Sequence, residues 1–206
     1  MSDSTARKPV IGLVGGIGAG KSAAAAAMAR CGGRVVDGDR LGHEALELPD
    51  VKRQLAERWG KRVLKPNGVA NRRAIAGIVF DDPAELKALE TMVFPHIGRR
   101  AREEIAAAQA DPTVRFVVLD AAVMLEAGWA DACDRIVFVE ASRDVRLARL
   151  AARSGWKPAE VAAREAAQLA PEAKRASADA VLTNDGTPDE LQEHVDRLLG
   201  AWGLLP

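Results

Sequence analysis

The sequence predicts an α/β fold: a central parallel five-stranded sheet flanked by helices, with a helical insertion and an arginine-rich lid. Three observations predict it. The apolar run Val10-Ile11-Gly12-Leu13-Val14 leads into a glycine-rich octet and then an alanine-rich stretch from Ala23 to Arg30, giving strand, glycine loop and helix in succession. Later apolar runs, Val114 to Leu119 and Arg135 to Val139, are nearly continuous rather than alternating, as strands of a parallel sheet covered on both sides require. Between these two groups, from Leu41 to about Ala110, strand signals vanish.

The elements follow in order. After the first helix, Gly32-Gly33 reads as a stop and Arg34-Val35-Val36 as a short second strand ending in Asp37-Gly38-Asp39-Arg40. Leu46, Val51, Leu55 and Trp59 suit helices broken at Pro49 and Gly60, and Asn71 to Phe80 reads as a further helix. Asp82-Pro83-Ala84-Glu85 is a capping signature for a helix to about Met92, followed by a longer one from Pro95 to Ala110. The third strand ends at Asp120 and the fourth covers Arg135 to Val139. Ser142 opens a helix carrying Arg146, Arg149 and Arg153 on one face, and Ala180-Val181-Leu182 offers the last strand. Thr187-Pro188-Asp189-Glu190 is a capping box for a final helix to about Gly200.

The chain of 206 residues is long enough for one large domain, or a domain with an insertion. Its 29 basic side chains match its 29 acidic ones, so nothing asks for nucleic acid or a membrane surface. Cys31 and Cys133 are far apart and form neither a disulfide framework nor a zinc spacing. Residues 1–8 read as a polar tail without an apolar signal, and no run reaches transmembrane length; the expectation is a cytoplasmic protein, monomeric or weakly homo-oligomeric.

Gly15, Gly20, Lys21 and Ser22 satisfy G-x-x-x-x-G-K-[ST], the phosphate loop. Glycines let successive N–H groups turn inward around an anion, and the following helix N-terminus adds its unpaired donors and dipole. Lys21 supplies a point charge for the outer phosphates, and the Ser22 hydroxyl is suited to magnesium. A glycine-rich turn with an incidental lysine is the bland reading, and the spacing and context leave it weak. The fold class is therefore a P-loop NTPase fold. At the end of the second strand, Asp37 and Asp39 share a face if strand geometry persists, near the transferred phosphoryl group; two aspartates capping the next helix compete with that reading. Only Arg72 or Arg73 of the insertion suggests an anion contact, and His96 reads as a helix-start residue. Basic residues outnumber acidic ones from Ser142 to Ser177, and Gly155, Pro158 and Pro171 punctuate that stretch as in a mobile lid.

A guanine-specifying motif, lysine between asparagine and aspartate, is absent, and the chain is short for a large ATPase; a small-molecule kinase fits best. From Ile11 to about Leu199 the chain resembles the dephospho-coenzyme A kinases: Gly12 to Ser22, Val35 to Asp39, Arg72 with Ile75 and Val79-Phe80, and Met124-Leu125-Glu126 match in order. Leu147 to Arg149, Arg153, Arg164, Gln168, Lys174-Arg175, Ala178-Asp179, Asn184 and Gly186 continue the match. Where that family shows His-Pro, this chain has Phe94-Pro95, and Ala122 replaces the proline of Pro-Leu-Leu.

The resemblance implies transfer of the γ-phosphoryl group of ATP, with Mg2+, to the ribose 3′-hydroxyl of dephospho-coenzyme A. Asp39 then orients or deprotonates that hydroxyl, Lys21 and Arg149 hold phosphoryl oxygens, and Ser22 holds the metal. Gly16, Ile17, Gly18, Ala19, Gly20, Lys21, Ser22 and Ala23 surround the nucleotide's phosphates, with Asn184 and Gly186 near adenine. Asp37, Asp39, Arg72 and Glu126 are expected on the acceptor. The nucleotide-binding core is expected over residues 9–41 and 113–206, the lid over about 153–177 and the acceptor-binding insertion over 42–112. Another P-loop kinase, acting on a nucleoside monophosphate or small metabolite, and a non-catalytic nucleotide-binding protein are the alternatives.

Overall fold

The computed structural model describes residues 7–205; of the expected polar tail, residues 1–6 lie outside them. Five strands form one parallel sheet in the order β2-β3-β1-β4-β5, where β1 is Val10–Gly15, β2 Gly33–Asp37, β3 Phe116–Asp120, β4 Arg135–Glu140 and β5 Ala180–Thr183. Side chains alternate across a strand, and both faces of this sheet are covered, which is why the strands are apolar throughout. Val10 and Val14 of β1, with Val117 and Leu119 of β3, pack into the core that the long helical block completes. Ile11 and Leu13, with Phe116 and Val118, face the opposite core, built with Ala24, Met28, Val195 and Leu199.

Helix α1 (Lys21–Arg30) and α9 (Pro188–Ala201) cover that second face. The other face carries α2 (Gly38–Leu46), α3 (Pro49–Trp59), α4 (Arg72–Val79) and α5 (Pro83–Ala110). Asp82 accepts a backbone N–H bond as cap with Pro83 in the first turn, as the sequence indicates; Asn71 likewise caps α4, and Pro49, expected as a break, opens α3. The helical block begins at Gly38, four residues before the expected boundary at 42, because Asp37 already caps it.

Two helices were expected between Pro83 and Ala110, and a single 28-residue helix is present with Pro95 inside it. Proline removes one i→i−4 bond, but Val93, Ile97, Gly98 and Ala101 on either side are buried, and that packing carries the helix through. The last two residues of the expected tail are held: Arg7 pairs with Asp134, and the Lys8 ammonium donates to the carbonyls of Ala108 and Gln109 at 3.0 and 2.9 Å. A cation at the C-terminal carbonyls of α5 suits both its unpaired acceptors and its dipole. Beyond β4, α6 (Arg143–Ser154), α7 (Pro158–Ala166) and α8 (Pro171–Ala176) precede β5.

Candidate active site

The strand order reverses beside β1, between β3 and β4, and the phosphate loop leaves β1 at that point, where open α/β sheets bind ligands. Gly18 and Gly20 take φ of 80° and 89°, a region side chains disfavour. A Cβ on Gly20 would also lie 2.2 Å from the Asn184 amide nitrogen. Helix α1 starts at Lys21 with no side-chain cap and no acidic residue in its first turn, which leaves its N–H groups for an anion.

A cleft of about 880 Å³ opens over this loop. On one side stand Ile17, Gly18, Gly20, Lys21, Ser22 and Ala23; on the other are Phe80 and the α5 residues Leu86, Glu90, Val93 and Phe94. Asp39, Asp120 and Arg149 border the same space. A second recess of about 510 Å³ lies behind the loop, bordered by Gly20, Ala23, Arg149, Asn184, Gly186 and Leu191. Of the sequence-expected residues, Ile17, Gly18, Lys21, Ser22 and Asp39 border the cleft, Asn184 and Gly186 the recess, and Gly20, Ala23 and Arg149 both.

Charge in the cleft is concentrated and poorly hydrated. Burial pulls the Lys21 ammonium below its ordinary value, while Asp120 and Asp39 draw it back up. Burial pushes the Asp120 carboxyl up, against the pull of Lys21 and the Ser22 hydroxyl. Asp120 was read from the sequence only as a strand end. Its signal was there: a carboxylate closing a continuous apolar strand of a parallel sheet, one strand from the phosphate loop.

Other expectations change. Asp37 and Asp39 do not share a strand face, because the strand stops at Asp37 and Gly38 begins α2. Asp37 caps that helix, accepting from the Arg40 N–H at 2.9 Å, while Asp39 in the first turn borders the cleft. The capping alternative was right for Asp37. Arg72 lies outside the cleft, its guanidinium 2.8 Å from the His43 ring. Glu126 is not on the cleft wall either; its Oε1 pairs with the Lys174 ammonium at 3.1 Å. Asn184 is buried and donates to the Ala19 carbonyl at 2.8 Å, so its side chain braces the loop while its residue borders the second recess.

Three of the four arginines of α6, those on the face noted above, divide their work. Arg146, largely buried, donates to the Ile17 carbonyl at 3.1 Å and pairs with Glu165 of α7 at 2.6 Å, which commits it to the outside of the loop. Arg149 donates to the Asn184 carbonyl at 2.8 Å and stands between the two spaces. Arg153 borders the cleft. Across its mouth, Arg164 lies 4.0 Å from the Trp156 ring centre and 5.0 Å from that of Phe80. His96 turns away to Asp50, whereas Phe94 borders the cleft and meets Trp129 edge to face at 5.3 Å.

A glycine loop on the central strand, a lysine and hydroxyl opening the helix and carboxylates at the neighbouring strand ends define a P-loop kinase fold. The sequence model of the dephospho-CoA kinase family matches residues 9–190, and the chain belongs to that family. It is 41% identical over 194 residues to the dephospho-CoA kinase of Anaeromyxobacter dehalogenans, covering 92% of this chain and 90% of that one. It is 40% identical over 190 residues to that of Mycolicibacterium paratuberculosis, covering 91% of this chain but 46% of the relative. Among solved structures, a Thermus thermophilus protein superposes with TM-score 0.78 and 35% identity over 95% of this chain and 98% of its own. The dephospho-CoA kinase of Campylobacter jejuni shares the fold, with TM-score 0.68 and 18% identity over 94% of this chain and 96% of its own.

Proposed function

We propose that this chain transfers the γ-phosphoryl group of ATP to the ribose 3′-hydroxyl of dephospho-CoA, forming CoA and ADP. The observation that carries the reading is the meeting of Lys21, Asp39 and Asp120 at one end of a cleft whose far wall is made by the helical block. Adenine of ATP occupies the recess beside Asn184 and Gly186, and its phosphates run through the Gly16–Ala23 loop. The acceptor occupies the larger cleft against Leu86, Val93 and Phe94, with its hydroxyl at Asp39.

Catalysis then rests on position and charge, since phosphoryl transfer asks the protein for little covalent chemistry. Asp39 accepts the proton of the attacking hydroxyl. Lys21 neutralises charge on the β- and γ-phosphoryl oxygens, and Arg149, which borders both spaces, reaches them from the other side. Ser22 and Asp120 are the side chains that would hold magnesium, a hard hydroxyl and a hard carboxylate in hydrogen-bond contact. Bound there, the ion supplies charge neutralisation between the phosphates. Residues 153–177 act as the lid that excludes water.

Coupled ADP release decides the reading. Turnover is expected with dephospho-CoA and not with AMP, and preference for a nucleoside monophosphate ends the assignment. Asp39→Asn is expected to lower kcat by roughly 10²-fold or more; unchanged turnover removes Asp39 from the base role.

A further inference from the structure

The most deeply buried charged side chain among the described residues is Lys174 of α8, at 1% exposure. Its sequence neighbourhood, Pro171 to Ala176, matches the family pattern at Lys174-Arg175 but gives no sign that this lysine is buried. Its ammonium has three acceptors from two segments far apart in sequence: in the loop after β3, the Ala122 carbonyl at 3.2 Å and Glu126 Oε1 at 3.1 Å, and before α8, the Gln168 side-chain oxygen at 3.0 Å. Glu126 Oε1 also accepts the Leu169 N–H at 2.9 Å, while its Oε2 is buried with no protein partner.

We propose that Lys174 is a positioning residue for the acceptor. Ala122 follows Asp120 by two residues, and Gln168 lies in the turn between α7 and α8. Both border the cleft opposite Glu90, Val93 and Phe94 of α5, and neither borders the recess behind the phosphate loop. One ammonium therefore holds the strand-end loop and the lid turn in a single arrangement that walls the acceptor's half of the site. A fully satisfied –NH3+ fixes three directions at once, which an apolar side chain of equal volume does not. Apolar filling would be the less costly way to close this space, because a buried ion pair rarely stabilises more than the side chains it replaces. Lys174 and Glu126 also lie within electrostatic reach of Lys21, so their order is felt at the phosphate loop.

This inference rests on the acceptor assignment above, and the test separates the two. Wild-type turnover is measured first; if another acceptor is used, the assignment falls and the same comparison with that acceptor still decides Lys174. Lys174→Met leaves Glu126 buried without its cation, so its stability falls. The informative variant is the double change E126Q/K174M, in which no unpaired charge remains. At 25 °C, with Tm recorded beside the kinetics, KM for the acceptor is expected to rise tenfold or more while KM for ATP stays within twofold of wild type. Acceptor KM and kcat within twofold of wild type overturn the proposal. Constants for both substrates worsening together in step with a lowered Tm overturn it as well, since that marks a purely structural clamp.

Discussion

Lys21 and Asp120 each carry a charge that burial opposes, and each is the other's first charged partner. Lys21→Ala therefore has asymmetric consequences. It removes a charge whose value is concentrated on the transferring group, so kcat is expected to fall by roughly 10²- to 10³-fold. The fold should tolerate the loss, because burial already favours the protonated form of Asp120 and Lys21 would no longer oppose that shift. Thermal unfolding alongside turnover checks both halves; a collapse of Tm would show that the pair holds the sheet end together. A second buried group makes a simpler case. Burial, with Asp134 adding repulsion, pushes the Cys133 thiol up to about 12. At pH 8 it is almost wholly the unreactive thiol. Iodoacetamide should label native Cys133 only after unfolding, which peptide mass spectrometry reads directly.

At the scale of elements, Pro95 stands inside α5 where a backbone N–H would otherwise donate to the Thr91 carbonyl. Proline in a helix interior costs about 3 kcal/mol relative to alanine. Because the helix has adapted to it, Pro95→Ala is expected to recover only part, about 1–2 kcal/mol, and to raise Tm by about 3–6 °C. If Pro95 also aims Phe94 into the cleft, acceptor KM rises in the same variant while ATP binding is untouched; an unchanged Tm would mean that the helix stores no cost at Pro95. This helix also shows where the sequence stopped being legible. Local rules placed its caps and its buried stripe, but continuity through proline was decided by Val93, Ile97 and Ala101 packing on the rest of the core, which no local signal records. The five strands, the phosphate loop, the caps at Asn71, Asp82 and Thr187 and the arginine face of α6 were all readable from period and punctuation. Asp120 was readable and overlooked. Lys174, Arg146 and the separate directions of Asp37 and Asp39 depend on which segments meet, and so were hidden.

For the whole molecule, the decisive contact joins two parts far apart in sequence. Arg164 of α7 lies between the ring of Trp156, just before that helix, and the ring of Phe80, at the end of α4 in the helical block. All three border the cleft, so the segment proposed above as the lid meets the helical block through a guanidinium over two aromatic rings. The other side of the lid is tied by Glu165 to Arg146, and through Arg146 to the Ile17 carbonyl of the phosphate loop. Closure is thus referred to both halves of the site. Cation–π contacts contribute roughly 0.5–2 kcal/mol according to their exposure. Losing one at Phe80, which is 36% exposed and so sits at the lower end of that range, shifts the closed-to-open ratio by about twofold to fivefold. An open lid admits water, which competes with the acceptor hydroxyl for the phosphoryl group. Phe80→Ala is therefore expected to raise ADP release in the absence of acceptor, relative to release with saturating acceptor, by about that factor. Arg164→Lys keeps the charge and loses the planar stacking, and it should move the same ratio in the same direction. Both variants showing the wild-type ratio, with acceptor KM unchanged, would place closure in the Arg146–Glu165 side of the lid alone.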